Sequence, residues 1–453
     1  MTDTQAQLND LFVVPVRIFV ESMHATRELD EFIAMNSSRL TSFEERFTIE
    51  AMRRYPSDPE EQHRKAASIA RKSMRTLIAE RARLLDEGAS EEAIRDVRAR
   101  NMKDLRKQLF ELTGRPKYFS YYGTVWNAVS MRRRGSRILR DSLLMSAVSE
   151  FEILVASTIK GALRVKPEIL RRGGRQYTMQ QIDPFESLDE FRAWCAEDKA
   201  DELLRGGLQK WMKWFTEIGV SVPGVTDLPL QLVEIFQRRH LLVHAGGIVN
   251  DAYLDKVSGI ENPPSKGVQL HVSADYLRET IDTLTAAGVK LCGATARKLA
   301  SVDDKYVIDS DLLDVEFSLL IRGEYEVVKN VNEWHLKFPI DESWRIPVQV
   351  NYWIARKKLN DGESVRAEVE SWEVEDDLSR LVKLALLDAN EEAHDLATEL
   401  LASEELNVDS WQNWPIFEGV RAYAAALPGE PADTDYMFAQ PNDLGDASLP
   451  RAE

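Results

Sequence analysis

The sequence predicts a mostly helical protein, in which a four-helix bundle lies between a helical arm and a set of helical hairpins. Apolar residues recur at the three- and four-residue spacing of amphipathic helices over long stretches. Few segments alternate polar and apolar residues with the period of a strand, and the Asn-Gly and Asp-Gly dipeptides of hairpin turns are scarce. The 453 residues suffice for two or three domains of roughly 100–200 residues each.

The N-terminal helical arm is predicted to comprise residues 1–136. Residues 20–115 are rich in Arg, Glu and Ala, which predicts long helices that pair as an antiparallel hairpin. Gly88 and Ala89 are expected in the turn, and Ser90 is a candidate N-cap of the second helix. The aromatic run 118–122, followed by Gly123, is expected to close the arm.

The bundle is predicted to comprise residues 137–300. Its most apolar helix covers 137–166, with apolar residues every four positions from Leu139 to Leu163, and Pro167 is expected to end it. A second helix is expected to start at Ser187, where Glu190 completes a capping box.

Glycines and caps place the remaining bundle helices. Gly206 and Gly207 are expected to interrupt the second helix, which resumes as far as Gly219. A third helix is predicted at about 228–244, capped by Asp227. A fourth is predicted from Ser273 to about residue 299.

Residues 301–427 are predicted to form helical hairpins. The small and aromatic residues in 321–336 and 378–402 have the spacing of stacked hairpins, as in tetratricopeptide arrays, although no strict repeat period is visible. Short strands within Pro339–Val350 are an alternative. The tail at 428–453 is rich in Pro, Asp and Gly, which predicts a disordered acidic segment.

Charge and cysteine content narrow the class of protein. The net charge of −17 argues against a passive nucleic-acid coat. Residues 101–140 are strongly basic and residues 361–400 are strongly acidic. The basic segment could bind a nucleic acid and the acidic segment a protein partner, or both could be solvated helix faces. The two cysteines, Cys195 and Cys292, fit a reducing cytoplasm. The apolar run 11–20 is too short to span a bilayer, so no membrane association is expected.

The most specific feature is the run Arg238-Arg239-His240-Leu241-Leu242-Val243-His244-Ala245-Gly246-Gly247. His240 and His244 are four residues apart and therefore share a helix face. The two glycines are the residues with which a helix would stop. A histidine in the last helical turn is suited to proton exchange near neutral pH. Arg239 lies about 140° around the helix from His244 and could converge with it on a ligand if the helix ends there.

These residue types suit RNA cleavage without a metal or cofactor. RNA supplies its own nucleophile, the 2′-hydroxyl, so that a histidine need only move protons. An arginine can hold the phosphate in a fork and stabilise negative charge in the transition state.

Three other interpretations remain open. A zinc site at His240 and His244 is disfavoured, because Leu241 stands where the zinc-protease helix motif has glutamate and no third ligand is evident. The histidines could instead pack or form hydrogen bonds at an ordinary helix end. The run could also bind a phosphate or another anion without catalysis.

The run 239–244 resembles the signature of the HEPN superfamily, which is arginine, a polar residue, three further residues and histidine. The context resembles a branch of bacterial and phage-defence HEPN proteins, through Gly246-Gly247-Ile248-Val249-Asn250 and the following Tyr253-Leu254. Residues 141–170 resemble the first helix of that branch, and 411–421 its closing helix pair more weakly. The resemblance covers about 137–427 and is strongest at 231–254. Most members carry Asn after the arginine, whereas this chain has His240.

The resemblance implies a four-helix unit that commonly dimerises, bringing two motifs into one cleft. Many members are metal-independent endoribonucleases that leave a cyclic phosphate and act in antiviral or toxin–antitoxin systems, sometimes controlled by a partner protein. Others only bind nucleotides, RNA or proteins. By this resemblance Arg239 would bind the scissile phosphate, His244 would be the acid–base group and His240 would support them.

Further arginines and aromatics are candidates for RNA contacts. Arg132, Arg133 and Arg134, together with Arg238, could bind phosphates. The aromatic residues Tyr118, Phe119, Tyr121 and Tyr122 could stack on bases. A solvated arginine face and a packed aromatic turn are equally good explanations.

Overall fold

The computed structural model describes residues 7–39, 43–86, 89–171, 176–301 and 304–427. Over these ranges the protein is mostly helical, which confirms the predicted fold class. The only extended pairing within them is an isolated antiparallel bridge between Ile248 and Gln269. The predicted disordered tail at 428–453 lies outside the described residues.

A π-helical turn at Asn9–Val13 precedes the α-helices. In chain order the α-helices are α1 Val14–Arg39, α2 Phe43–Arg54, α3 Glu60–Asp86, α4 Glu91–Thr113, α5 Tyr118–Val165, α6 Glu168–Arg171, α7 Met179–Ile182, α8 Leu188–Leu204, α9 Gly207–Glu217, α10 Leu230–Ala245, α11 Asp251–Lys256, α12 Ala274–Leu299, α13 Asp304–Ile321, α14 Tyr325–His335, α15 Glu342–Lys358, α16 Gly362–Ser371, α17 Asp377–Leu386, α18 Asn390–Ala402, α19 Val408–Asn413 and α20 Glu418–Ala425. A 3-10 turn at Pro415–Phe417 separates the last two.

The chain forms two units, Pro15–Gly288 and Met1–Val14 with Val289–Glu453. The sequence instead placed boundaries at 136/137 and 300/301. Helix α5 runs without a break across the first of these positions. The aromatic run expected to close the arm therefore opens a long helix instead.

The contacts of Tyr118 explain why the aromatic run does not close the arm. Its side chain is fully buried, its hydroxyl lies 2.5 Å from His63 Nδ1, and its ring stacks on Tyr55 at 5.6 Å between centroids. These contacts join the start of α5 to α3 and to the residue that directly follows α2. Gly123 does not stop the helix, because a glycine inside a helix costs only about 1 kcal/mol relative to alanine.

The predicted antiparallel hairpin is confirmed as α3 and α4. The Ser90 hydroxyl caps α4 by accepting a hydrogen bond from the Ala93 N–H at 3.3 Å. Small side chains on α3, such as Ala66 and Ala70, let the helices approach closely, and Leu105 of α4 completes the buried core.

The C-terminal half of α5 lies in the core of the first unit, where α5 contacts α8 and α10. Ala147, Phe151, Val155, Ile159 and Leu163 are buried along one face, as the four-residue spacing predicted. Leu139, the first residue of that series, is 52% exposed, so the predicted burial was wrong at the start of the stripe. By length and mean hydropathy, Gly135–Val165 could also cross a membrane, a criterion that core helices of soluble proteins meet equally.

Helix α1, assigned to the arm from the sequence, packs on α5. The rings of Phe19 and Phe151 meet edge to face at 6.3 Å, and Arg140 Nε donates to Asp30 Oδ1 at 2.6 Å. Gly288 lets α12 approach α5 closely, because a β-carbon at Gly288 would lie 2.8 Å from Leu154 Cδ2. Helix α1 thus contacts α5 within one unit, although the sequence pattern assigned the two to different domains.

Caps and glycines set the ends of α8 and α9. Ser187 Oγ accepts from the Glu190 N–H at 3.1 Å, as predicted, although the Glu190 carboxylate accepts from the Glu186 N–H instead of completing the box. The break between α8 and α9 falls at Gly206 and Gly207, the latter at φ 73°. Pro167 follows the end of α5 as expected.

The predicted capping of α10 by Asp227 was wrong. The N-cap is Pro229, which has no side-chain cap, and Leu228 before it takes a left-handed φ of 56°. The chain turns at Leu228, so the Asp227 side chain precedes the position from which it could accept a bond from the first helical N–H groups.

The second unit consists of helices that pack on their neighbours in sequence. The pairs α13–α14, α14–α15 and α17–α18 are in contact. The strands suggested within Pro339–Val350 were wrong, because α15 includes Pro347 and begins at a cap in which Asp341 Oδ1 accepts from the Ser343 N–H at 2.9 Å. The turn at Asn9–Val13 packs here too, with Asn9 Nδ2 donating to Asp311 Oδ2 at 3.2 Å.

Candidate functional site

The motif residues occupy the last turns of α10, and the double glycine ends the helix. Gly246 is left-handed at φ 57°, and the Gly247 N–H donates to Leu241 O at 3.0 Å. Gly247 has a φ of 81°, and a β-carbon there would lie 2.7 Å from Leu270 O. Both glycines are therefore needed for the stop that the sequence predicted.

The chain beyond the stop is fixed by a second segment of the same unit. The Leu270 N–H donates to Gly247 O at 2.8 Å, and Gln269 Nε2 donates to Gly246 O at 2.8 Å. The Asn250 side chain then caps α11 by accepting from the Tyr253 N–H at 2.9 Å. The hydrogen bonds from Gln269 and Leu270 consequently hold the C-terminal end of α10 in one conformation.

His240 and His244 form an exposed pair on one face of α10. Their ring centroids are 4.6 Å apart and the rings are tilted by 49°. Both side chains are exposed to solvent. The predicted sharing of a helix face is confirmed, and both imidazoles are accessible to a ligand.

Arg239 points away from the histidines, toward α5. Its Nη2 lies 3.6 Å from Glu152 Oε2, and each side chain is about one third exposed. Within the described residues no hydrogen bond, ion pair or ring contact joins Arg239 to His240 or His244. A single chain thus places the arginine and the histidines on adjacent faces rather than in contact.

Glu152 is a partner for Arg239 that the sequence did not indicate. Burial raises the pKa of the Glu152 carboxyl, and the Arg239 guanidinium opposes this increase without cancelling it. The carboxylate is therefore poorly solvated and is held by one ion pair, at a distance longer than a hydrogen bond. A phosphate could compete with it for Arg239.

We predict that Glu152→Gln strengthens the binding of a phosphate-bearing ligand at Arg239. Removing the internal competitor frees Arg239, and a partly exposed ion pair of about 0.2–1 kcal/mol corresponds to a gain in affinity of about 1.4- to 5-fold. Fluorescence anisotropy with a short labelled RNA at low salt measures the change. Glu150→Gln, on the same helix and with the same change in net charge, is the control. Equal affinities of the two variants would contradict the prediction.

Arg238 belongs to a buried hydrogen-bond network around Glu234 that the sequence did not indicate. Its Nε donates to Glu234 Oε1 at 2.7 Å, and its guanidinium lies 3.9 Å from the centroid of the Tyr276 ring. The hydroxyls of Tyr253 and Tyr276 donate to the two Glu234 oxygens at 2.7 and 2.5 Å. The network connects α10 to α11 and α12, so Arg238 has an internal partner in place of the phosphate contact suggested from the sequence.

Within this network the pKa values of both tyrosines are raised. Burial, with the hydrogen bond to Glu234, raises the pKa of Tyr253 to about 12. Burial and the Glu234 charge likewise raise the pKa of Tyr276. Both phenols therefore stay protonated and act as donors to the carboxylate. The signal that could have revealed the pair is the four-residue spacing of Glu234 and Arg238 on one helix.

The arginines that the sequence suggested for phosphate contacts are only partly described. The side chains of Arg132, Arg133 and Arg134 lie outside the described residues. Arg137 Nη1 lies 3.0 Å from His271 Nε2, and burial together with this cation lowers the pKa of His271, so that the ring accepts the bond.

The predicted aromatic platform is also only partly described. Tyr118 is fully buried and cannot stack on a base, whereas the side chains of Tyr121 and Tyr122 are outside the described part. Phe119 is partly buried against the core of α2 to α4.

The zinc interpretation lacks a ligand set in the described part of the chain. No group of three or more His, Cys, Asp or Glu side chains there is arranged to hold a metal ion. The His240–His244 pair consequently has no third protein ligand among those residues.

Comparisons with known proteins add no family assignment. No protein-family model matches the chain. No curated protein and no solved structure matches it either.

Proposed function

We propose that this protein is a metal-independent endoribonuclease that acts as a toxin or effector in a prokaryotic antiviral defence or toxin–antitoxin system. The observation that carries the proposal is the exposed His240–His244 pair at a glycine-terminated helix end, with Arg239 on the adjacent face. The resemblance of the run 239–244 to the HEPN signature supports the same assignment. On this proposal the protein works in the cytoplasm.

The proposed reaction is an internal transfer at one phosphate. The 2′-oxygen of RNA forms a bond to phosphorus, the bond to the 5′-oxygen breaks, and the products are a 2′,3′-cyclic phosphate and a 5′-hydroxyl. One imidazole takes the 2′-hydroxyl proton and a proton is returned to the departing 5′-oxygen. His244 is the proposed acid–base group, and Arg239 stabilises the charge on the phosphate oxygens.

A homodimer is the proposed active form. Because Arg239 and His244 of one chain occupy adjacent faces of α10, two copies facing each other would supply both groups to one phosphate. His240, whose ring lies beside that of His244, is proposed to orient it or to contact RNA. The Arg239–Glu152 pair supports a resting state that RNA, or a regulatory partner protein, must open.

The second candidate is a non-catalytic RNA- or nucleotide-binding component of a defence complex. It is favoured by the same Arg239–Glu152 ion pair, because an arginine held apart from the histidines can bind phosphate without assembling a catalytic pair. Cleavage distinguishes the two candidates.

The test is RNA cleavage in EDTA by the purified full-length chain. We expect His244→Ala to reduce cleavage by about 10²- to 10⁴-fold, because general acid–base catalysis contributes that much. Arg239→Ala should reduce it by about 10²- to 10³-fold through the loss of charge stabilisation. In the non-catalytic alternative, wild type binds RNA and does not cut it.

Two matched variants control for the loss of a histidine or an arginine elsewhere. His24 on α1 forms an ion pair with Glu28, and Arg278 on α12 pairs with Asp275, so His24→Ala and Arg278→Ala should cleave like wild type. The absence of cleavage by wild type would overturn the enzymatic proposal. Cleavage that survives both motif substitutions would overturn the assignment of the site.

A further inference from the structure

A cavity of about 600 Å³ lies in the first unit, and none of its lining residues belongs to the motif. It is bounded by the end of α5, by α6 and by one face of α8, and Trp214 of α9 contributes to its wall. This volume falls within the range of about 300–1,000 Å³ that is usual for small-molecule sites.

The walls are mostly apolar and aromatic. Leu163, Phe191 and Trp214 line the cavity and are themselves almost completely buried. The Phe191 ring makes edge contacts with Tyr177 and Phe185 at 5.1 and 5.3 Å between centroids, which fixes its position. Such walls favour the apolar body of a ligand.

Basic side chains enter the cavity from the same face of α8. Arg192, Cys195, Lys199 and Glu202 follow at spacings of three and four residues and all line the cavity. The lining therefore carries two cations and one carboxylate. These two cations beside apolar walls match a ligand with a negatively charged end that could replace one of their present partners.

The cations are held only by weak local pairs. Arg192 pairs with Asp189 at 2.8 Å, and Lys199 pairs with Glu202 at 3.0 Å, both within one turn of the helix and with exposed partners. Glu202 is shared with Lys210, at 3.6 Å. A ligand anion could replace Glu202 as the partner of Lys199 while Glu202 keeps Lys210.

We propose that this cavity binds a small amphipathic carboxylate, with the apolar body against Phe191 and Trp214 and the carboxylate on Lys199 and Arg192. The site is separate from the proposed ribonuclease site, and its test does not depend on RNA cleavage.

Three twelve-carbon compounds test the proposal with the full-length protein. Dodecanoate, dodecanol and dodecylamine share the apolar chain and differ in the charge of the end group. Isothermal titration below the micelle concentration should show saturable binding of dodecanoate, weaker binding of dodecanol and the weakest binding of dodecylamine. Bound dodecanoate should also slow alkylation of Cys195, because that thiol lines the cavity.

Variants at Lys199 test the charge. Lys199→Met should weaken dodecanoate binding by about 10-fold, because a charge-assisted hydrogen bond of about 1.5 kcal/mol is lost. Lys199→Arg should restore binding, and Lys213→Met, an exposed lysine on α9 that does not line the cavity, should bind like wild type. Circular dichroism establishes that each variant is folded. Absence of dodecanoate binding, equal binding of the three compounds, or binding unchanged by Lys199→Met would overturn the proposal.

Discussion

Replacing Glu234 by alanine should lower the free energy of unfolding of the first unit by about 3–5 kcal/mol, because it leaves a buried charge without its partner. Glu234 is only 6% exposed and accepts hydrogen bonds from Arg238, Tyr253 and Tyr276. The alanine variant would leave the Arg238 guanidinium and two phenols without their acceptor. These groups connect α10 with α11 and α12, so the loss should also loosen the helix that carries the motif.

Hydrogen–deuterium exchange of peptides from α10 and α12, combined with urea unfolding, measures this loss. Glu217→Ala is the control, because Glu217 is exposed and its ion pair with Lys213, at 3.8 Å, is local to α9. The double variant Glu234→Ala/Arg238→Ala should be less destabilised than the sum of the two single variants, since the groups interact directly. A loss below 1 kcal/mol for Glu234→Ala, or strict additivity of the pair, would contradict the assigned role.

A similar loss is expected in the second unit when Glu316 is replaced by alanine. His335 Nδ1 lies 2.7 Å from Glu316 Oε1, and its Nε2 lies 3.4 Å from Asp309 Oδ1. Arg297 pairs with Asp309 and covers the Phe338 ring at 4.6 Å. Because His335 and Glu316 are fully buried, removing the carboxylate should cost about 3 kcal/mol of local stability.

Exchange protection of α13 and α14 reports this effect separately from the first unit. Glu333→Ala is the control, because Glu333 is exposed and its ion pair with Lys337, at 3.1 Å, joins residues four positions apart. Wild-type protection of α14 in the Glu316→Ala variant would contradict the structural role of the buried carboxylate.

The sequence correctly predicted several helix caps and helix ends, because each depends on residues close together in the chain. The Ser90 and Ser187 caps, the end of α5 before Pro167 and the glycine stop after α10 all follow from residues within a few positions of each helix end. The same is true of the buried face of α5 between Leu144 and Leu163, which follows from its own apolar spacing, whereas Leu139 at the start of the predicted stripe is exposed.

Long-range contacts account for what the sequence did not predict. The start of α5 depends on Tyr118 meeting His63 of another helix, and α1 joins the bundle through Phe19 and Phe151. At the motif, the histidine pair follows from helix periodicity, whereas the pairing of Arg239 with Glu152 joins two helices far apart in sequence. Helix spacing alone cannot tell which side chain across an interface will meet a given arginine.

The most direct test of the proposed ribonuclease uses two oligonucleotides of one sequence, one of RNA and one fully 2′-O-methylated, incubated with wild-type protein in EDTA. The proposed reaction requires a free 2′-hydroxyl and leaves a cyclic phosphate. We predict that the RNA strand is cut to products with 2′,3′-cyclic phosphate and 5′-hydroxyl ends, and that the methylated strand stays intact. Cleavage of the methylated strand, 3′-hydroxyl products, or an intact RNA strand would contradict the assignment of Arg239 and His244 as an RNA-cleaving pair.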